Sequence, residues 1–315
     1  PGRVDVGTDQ GAASTNNVIV IVKVVVVLFV IIVGAFYVNP ENWVPFIPAE
    51  VPVLDAAGNA TGEVNFGFGG VLTAATIVFF AYIGFDAVST QAGEAINPKK
   101  DVPFAIISSL VICTILYILV SLVLTGMVPY STLDLKAPVA SAFSGAGISW
   151  AVYPITIAAV AGLTSVMLVM MLGQTRIFFG MAKDGLLPRG IFGSLHPKYK
   201  TPYKSTILVG LIVSIVAAVT PINSISEMCS MGTLLAFSMV CLAVLILRKT
   251  EPGLDRPYRT PMVNIIAPLG VLFNIFLMTQ VRVHTWYAFL IWGTLGVIVY
   301  FLYSKRNSNL EKGAQ

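Results

Sequence analysis

The chain is 315 residues long, 56% hydrophobic and only 11% charged, with a mean hydropathy of +0.85. Stretches of about 18 or more apolar residues recur along its length, which excludes a soluble globular domain and points to a multispanning, all-α membrane protein. The net charge of +4 is no sign of nucleic-acid binding, because excess Lys and Arg in such a chain mark cytoplasmic loops.

The polar lead-in over residues 1–16 has no Met at its start and no signal-peptide core, and reads as a cytoplasmic segment of a longer chain. Eight spans follow, at about 18–38, 68–96, 104–126, 150–180, 205–220, 224–247, 262–281 and 285–304. They form a single transmembrane domain, and residues 305–315 are a cytoplasmic tail. The first span is rich in Val and Ile, yet its unbroken apolar length favours a membrane helix over a strand. Asn39-Pro40 ends it, and the loop beyond carries Glu41, Glu50, Asp55 and Glu63 without Lys or Arg. Charges then alternate from loop to loop. Of the 19 basic residues, all but Arg3, Lys23, Lys136 and Arg282 lie at the ends of the second, fourth, sixth and eighth spans or in the segments after them. The positive-inside rule places those segments, and the C-terminus, in the cytoplasm.

The second span holds Gly84 and Asp86 near its middle. An ionised Asp at mid-membrane costs about 2.5–3.5 kcal/mol, so Asp86 needs a partner, a proton or a water-filled cavity. Gly84 is the least costly kind of residue at which to interrupt a helix. A weakened helix beside an ionisable group is how many carriers build a binding site; the alternative is a kinked helix with a protonated, packed Asp86. The fourth span carries Pro154, Gly162, Thr164, Ser165, Gly173, Gln174 and Arg176, small and polar residues that serve helix packing or ion and substrate contact. Lys23, six residues into the first span, either snorkels to the lipid surface or turns into the bundle, where it can exchange a proton. Glu227 reads as an interface residue beside the outer turn Thr220-Pro221-Ile222-Asn223. Cys113, Cys229 and Cys241 fall inside apolar spans and read as small buried hydrophobes. No spacing suggests a metal site, a catalytic nucleophile or a cofactor loop, so an enzyme is not expected.

Phe79-Phe80-Ala81-Tyr82-Ile83-Gly84-Phe85-Asp86-Ala87 through Asn97-Pro98-Lys99-Lys100-Asp101-Val102-Pro103 resembles helix six, and the loop after it, of the amino-acid–polyamine–organocation (APC) transporters. Leu124-Thr125-Gly126-Met127-Val128-Pro129-Tyr130 and the Phe85-Asp86 pair look most like the cationic amino acid transporter branch. Asn16-Asn17-Val18-Ile19-Val20-Ile21-Val22-Lys23 is similar to that branch's helix five, and Gln174-Thr175-Arg176 with Lys183-Asp184-Gly185-Leu186-Leu187-Pro188 to its helix eight and following loop.

The resemblance implies a partial LeuT-type fold of five-plus-five inverted repeats, the eight spans matching helices five through twelve. Helices one to four, which supply half of the family's binding site, have no counterpart in this sequence. The matching positions imply that the backbone carbonyls of Phe80, Ala81 and Ile83 receive the substrate's α-ammonium group, with Gly84 permitting the break. They imply a gating or proton-coupling role for Asp86 and Lys23, with Thr164 and Ser165 as the hydroxyls facing the lysine. The implied function is secondary active transport of cationic or small neutral L-amino acids across the plasma membrane by alternating access. The proton is the implied coupling ion and there is no other cofactor; the implied partners are the amino acid and the lipid bilayer. The rival expectation is a non-transporting membrane partner that keeps the fold without the cycle.

Overall fold

Apolar segments at membrane depth can satisfy their backbone N–H and C=O groups only internally, which makes them helices. The structure is a computed structural model that describes residues 9–54, 60–85, 87–90, 97–199, 201–254, 256 and 258–309. In chain order its helices are α1 (Asp9–Ala35), α2 (Gly67–Tyr82), α3 (Ala87–Thr90), α4 (Pro98–Met127), α5 (Pro138–Gly145) and α6 (Ser149–Lys183). They continue with α7 (Arg189–Phe192), α8 (Tyr203–Val219), α9 (Ile222–Thr250), α10 (Val263–Thr279), α11 (Val283–Val299) and α12 (Lys305–Asn307). Among the described residues, α1, α4, α6, α9 and α11 with its continuation are long and apolar enough to cross a membrane, by length and composition. The shorter apolar helices α2, α8 and α10 fall on the other three predicted stretches.

Within the stretch 68–96, α2 stops at Tyr82 and, among the described residues, the single turn of α3 follows. Two expectations need correction. The third stretch starts earlier than 104, because Asp101 in the first turn of α4 accepts the Asn97 N–H (3.3 Å) and so caps a helix beginning at Pro98. The chain is also not purely helical. Between α1 and α2, β1 (Val51–Leu54) pairs antiparallel with β2 (Ala60–Asn65), with Val51 opposite Asn65.

The chain divides into two compact units. The first comprises Pro1–Ile47, Ser109–Gly173 and Pro197–Tyr199. Its core is built by Val30 of α1, Val123, Leu124 and Met127 of α4, Ala142 and Phe143 of α5, and Ala151 and Ile155 of α6. Phe143 is fully buried and stacks on Phe29, which meets Trp150 edge-on. Small residues set the approach of α1 to α4: a Cβ on Gly34 would run into the Val123 side chain, and one on Gly126 would lie 2.9 Å from Val38 and Trp43. The Asn39-Pro40 exit from α1 is tied down at the same place. Asn42 Nδ2 donates to the Gly126 carbonyl (2.7 Å), one of the last four of α4, and Trp43 Nε1 adds a bond to that of Leu122 (3.2 Å).

The second unit comprises Pro48–Ser108, Gln174–His196 and Lys200–Gln315. Met231 and Leu234 of α9 pack on Leu277 and Met278 of α10, with Phe79, Trp286 and Phe289 around them. In this unit the segment after α11 widens into a π-helix, Tyr300–Ser304, and folds onto the end of α6. Ser304 Oγ donates to the Leu186 carbonyl (2.8 Å), and Asn309 Nδ2 to that of Lys183 (2.7 Å). Arg189 donates to the carbonyls of Ala182 and Lys183 and to Asn309 Oδ1. Asn309 and Arg189 therefore cap the last carbonyls of α6.

Candidate functional site

The site is built on α2. Its first residue, Gly67, has φ +61° and donates its N–H to the Pro48 carbonyl (3.0 Å), and a Cβ there would meet Glu50 at 2.9 Å. The helix then runs for 16 residues of almost unbroken apolar character. It ends where the sequence places its weakest point. Ile83 leaves the helical region (φ −60°, ψ 128°), and Gly84 has φ +122°, a conformation that residues with a Cβ rarely adopt. The Ile83 N–H turns back to the Phe80 carbonyl (3.2 Å), a tight i→i−3 closure of the last turn.

Such an interruption is rich in hydrogen-bond acceptors, because the last carbonyls of a helix lack donors four residues ahead. The Phe80 carbonyl accepts from Ile83 and still has a second lone pair. An ammonium group needs acceptors and offers three donors, so a break of this kind suits a cation better than an anion. Phe80, Ala81, Ile83 and Gly84 are thus brought together as one turn of backbone. Asp86 lies outside the described residues.

The break has a partner that sequence reading missed. Phe237 of α9 meets Phe79 before the interruption (ring centroids 6.1 Å apart, 78° between planes) and Phe85 after it (5.3 Å, 52°). The available signal was its spacing of three residues from Leu234, which makes the two neighbours on the surface of α9.

Lys23, Thr164 and Ser165 belong to the first unit. Lys23 is half-buried and lies against α6, where a Cβ on Gly162 would sit 3.0 Å from its Cδ. Ser165, three residues beyond Gly162 and so on the same face, is 2% exposed. Thr164 is exposed and donates to the Val160 carbonyl of its own helix (2.9 Å). Two residues from Gly162, it points about 200° around the helix. Of the two hydroxyls expected near the lysine, Ser165 is therefore the one on its side.

Glu227 departs from the simple interface role expected of it. It is held across α9 and α11: Thr285 Oγ1, 1% exposed, donates to Glu227 Oε2 (2.6 Å), and Arg282 Nε lies 3.6 Å from Oε1. Among the thiols, Cys113 and Cys241 are half-buried, but Cys229 is exposed, not buried as expected.

The chain as a whole is similar to known proteins. The family model described as amino acid permease matches residues 9–302. The chain is 43% identical over 281 residues to the branched-chain amino acid permease BcaP of Bacillus subtilis (strain 168), covering 89% of this chain and 57% of that protein. It is 41% identical to the methylthioribose transporter of the same organism, with the same coverage. It is 40% identical to the vacuolar cationic amino acid transporter 4 of Arabidopsis thaliana, over 70% of this chain and 35% of that one. The chain thus spans little more than half the length of the first two relatives. With a family match from α1 to the end of α11, the chain belongs to the amino acid permease family, in the APC superfamily of membrane transporters rather than among enzymes.

Proposed function

We propose that this protein is a secondary active transporter of cationic or small neutral L-amino acids, working by alternating access around the break at Ile83–Gly84. The observation that carries the reading is the interruption of an apolar helix at Gly84, φ +122°, in a chain of the amino acid permease family. In this reading the carbonyls of Phe80, Ala81 and Ile83 take the substrate's ammonium group. Asp86 and Lys23 move the coupling proton, with Ser165 rather than Thr164 as the hydroxyl on the lysine's side. The eight apolar helices are helices five through twelve of a LeuT-type fold, in one transmembrane domain over 1–315. The basic loops and C-terminus face the cytoplasm, and the membrane is the plasma membrane.

Substrate class rests on relatives named for branched-chain and for cationic amino acids. A second reading, a thio-sugar, rests on the relative named a methylthioribose transporter. The test is uptake of labelled arginine, leucine, alanine and methylthioribose by the full-length protein in liposomes, with and without an inward pH gradient. Saturable uptake of an amino acid that grows with the gradient is expected. Uptake of methylthioribose and of no amino acid supports the second reading, and no uptake of any of them leaves a non-transporting partner.

A further inference from the structure

A helix that is interrupted loses the hydrogen-bond ladder that fixes one half against the other. After Tyr82 the chain passes through an extended Ile83 and a left-handed Gly84, so the placement of the two flanks falls to tertiary contacts. One ring touches both. Phe237 packs on Phe79, the fourth residue before Ile83, and on Phe85, the first after Gly84, with centroids 6.1 and 5.3 Å away. The carbonyls of Phe80, Ala81 and Ile83 all lie between these two anchor points in the chain.

The ring is carried beside buried residues. On α9 it follows Leu234 by three residues and Met231 by six, and both are fully buried against Leu277 and Met278 of α10. Phe79 itself packs on that cluster. The core of the second unit thus extends, through one aromatic side chain, to both edges of the break. Tilted and edge-on ring pairs add a directional preference to simple burial, which lets them hold an orientation as well as fill space.

We propose that Phe237 is a positioning residue: its ring clamps Phe79 and Phe85 and so fixes the turn of backbone carbonyls at Phe80–Ile83. This rests on the reading of that turn as the ammonium site, and it gives α9 a role in substrate affinity without contact to the substrate. Because the ammonium group is common to all amino acids, removing the clamp weakens every substrate alike and leaves their ranking unchanged.

The experiment compares the Phe237→Ala, Phe237→Leu and Phe237→Tyr variants of the full-length protein in liposomes, with Phe289→Ala as the control. Phe289 belongs to the same cluster but not to the ring contacts at the break. Loss of two aromatic contacts raises KM about tenfold for arginine, leucine and alanine together, with the maximal rate changed about twofold or less. Phe237→Leu shows a smaller rise and Phe237→Tyr stays within about twofold of the wild type. Phe289→Ala lowers thermal stability but not affinity. Amide hydrogen exchange over Ile83–Phe85 provides the readout that needs no transport: about tenfold faster in Phe237→Ala and Phe237→Leu, unchanged in Phe289→Ala. KM and exchange that move no more in the Phe237 variants than in Phe289→Ala would overturn the proposal. Faster exchange in a protein whose wild type takes up no substrate would instead keep the clamp and sink the transport reading.

Discussion

Gly84→Ala is the sharpest perturbation of the site. At φ +122° an alanine carries a Cβ into a region essentially reserved for glycine, at a cost of about 1–3 kcal/mol. The same change favours continuation of α2, since Ala is better than Gly in a helix by about 1 kcal/mol. Both effects act in one direction, so the balance between broken and continuous backbone shifts by about 2–4 kcal/mol. At about 1.4 kcal/mol per factor of ten, the shift is about thirtyfold at its lower bound. If the break receives the substrate and the two forms are closely balanced, KM for uptake by the full-length protein in liposomes rises by up to about that factor. A Gly293→Ala control, where a Cβ meets nothing within 4 Å, leaves KM unchanged. A Gly84→Ala protein that folds and transports with KM within about twofold of wild type would refute the link between the interruption and binding.

Further outcomes are expected at other residues. Gly185→Ala places a Cβ against the Asn307 carbonyl at a residue with φ +83°, so it unseats the C-terminal cap of α6; thermal unfolding in detergent should show a loss of about 1–3 kcal/mol. Asn309→Ala in the same assay costs less, about 1 kcal/mol, because it removes hydrogen bonds without forcing the backbone. Thr285→Val takes the hydroxyl from the 14% exposed Glu227 and destabilises by about 1–3 kcal/mol, whereas Arg282→Gln, at an Arg 47% exposed, changes the melting temperature little. Lys23→Met should abolish the response of uptake to a pH gradient while leaving gradient-free exchange measurable; unchanged gradient dependence would remove Lys23 from proton coupling.

The apolar helices were legible because apolarity is a property of residues taken singly, and the interruption because Gly84 advertises it in the chain itself. Features that depend on residues far apart in sequence were not. Asp101 moves the start of α4 to Pro98 through a local hydrogen bond, and an acceptor four residues after Asn97 could have been read as a cap. The partners of Glu227 lie 58 residues away at Thr285, and the cap on α6 joins Lys183 to Asn309 across 126. No periodicity announces either. Phe237 looked like one more apolar residue of an amphipathic helix until its neighbours were known. Ser165 over Thr164 follows from helix geometry alone, but only after Gly162 is identified as the residue facing Lys23.

The central claim is that carbonyls at the break in α2 grip an amino acid by its ammonium group. Competition for uptake by the full-length protein between a transported amino acid and its des-amino analogue, identical but for the missing amine, tests this most directly. A site built to hydrogen-bond a group rejects the analogue that lacks it, so the analogue should compete at least about a hundredfold more weakly. Competition by the analogue at the same concentrations as the amino acid would contradict ammonium recognition at Phe80–Gly84.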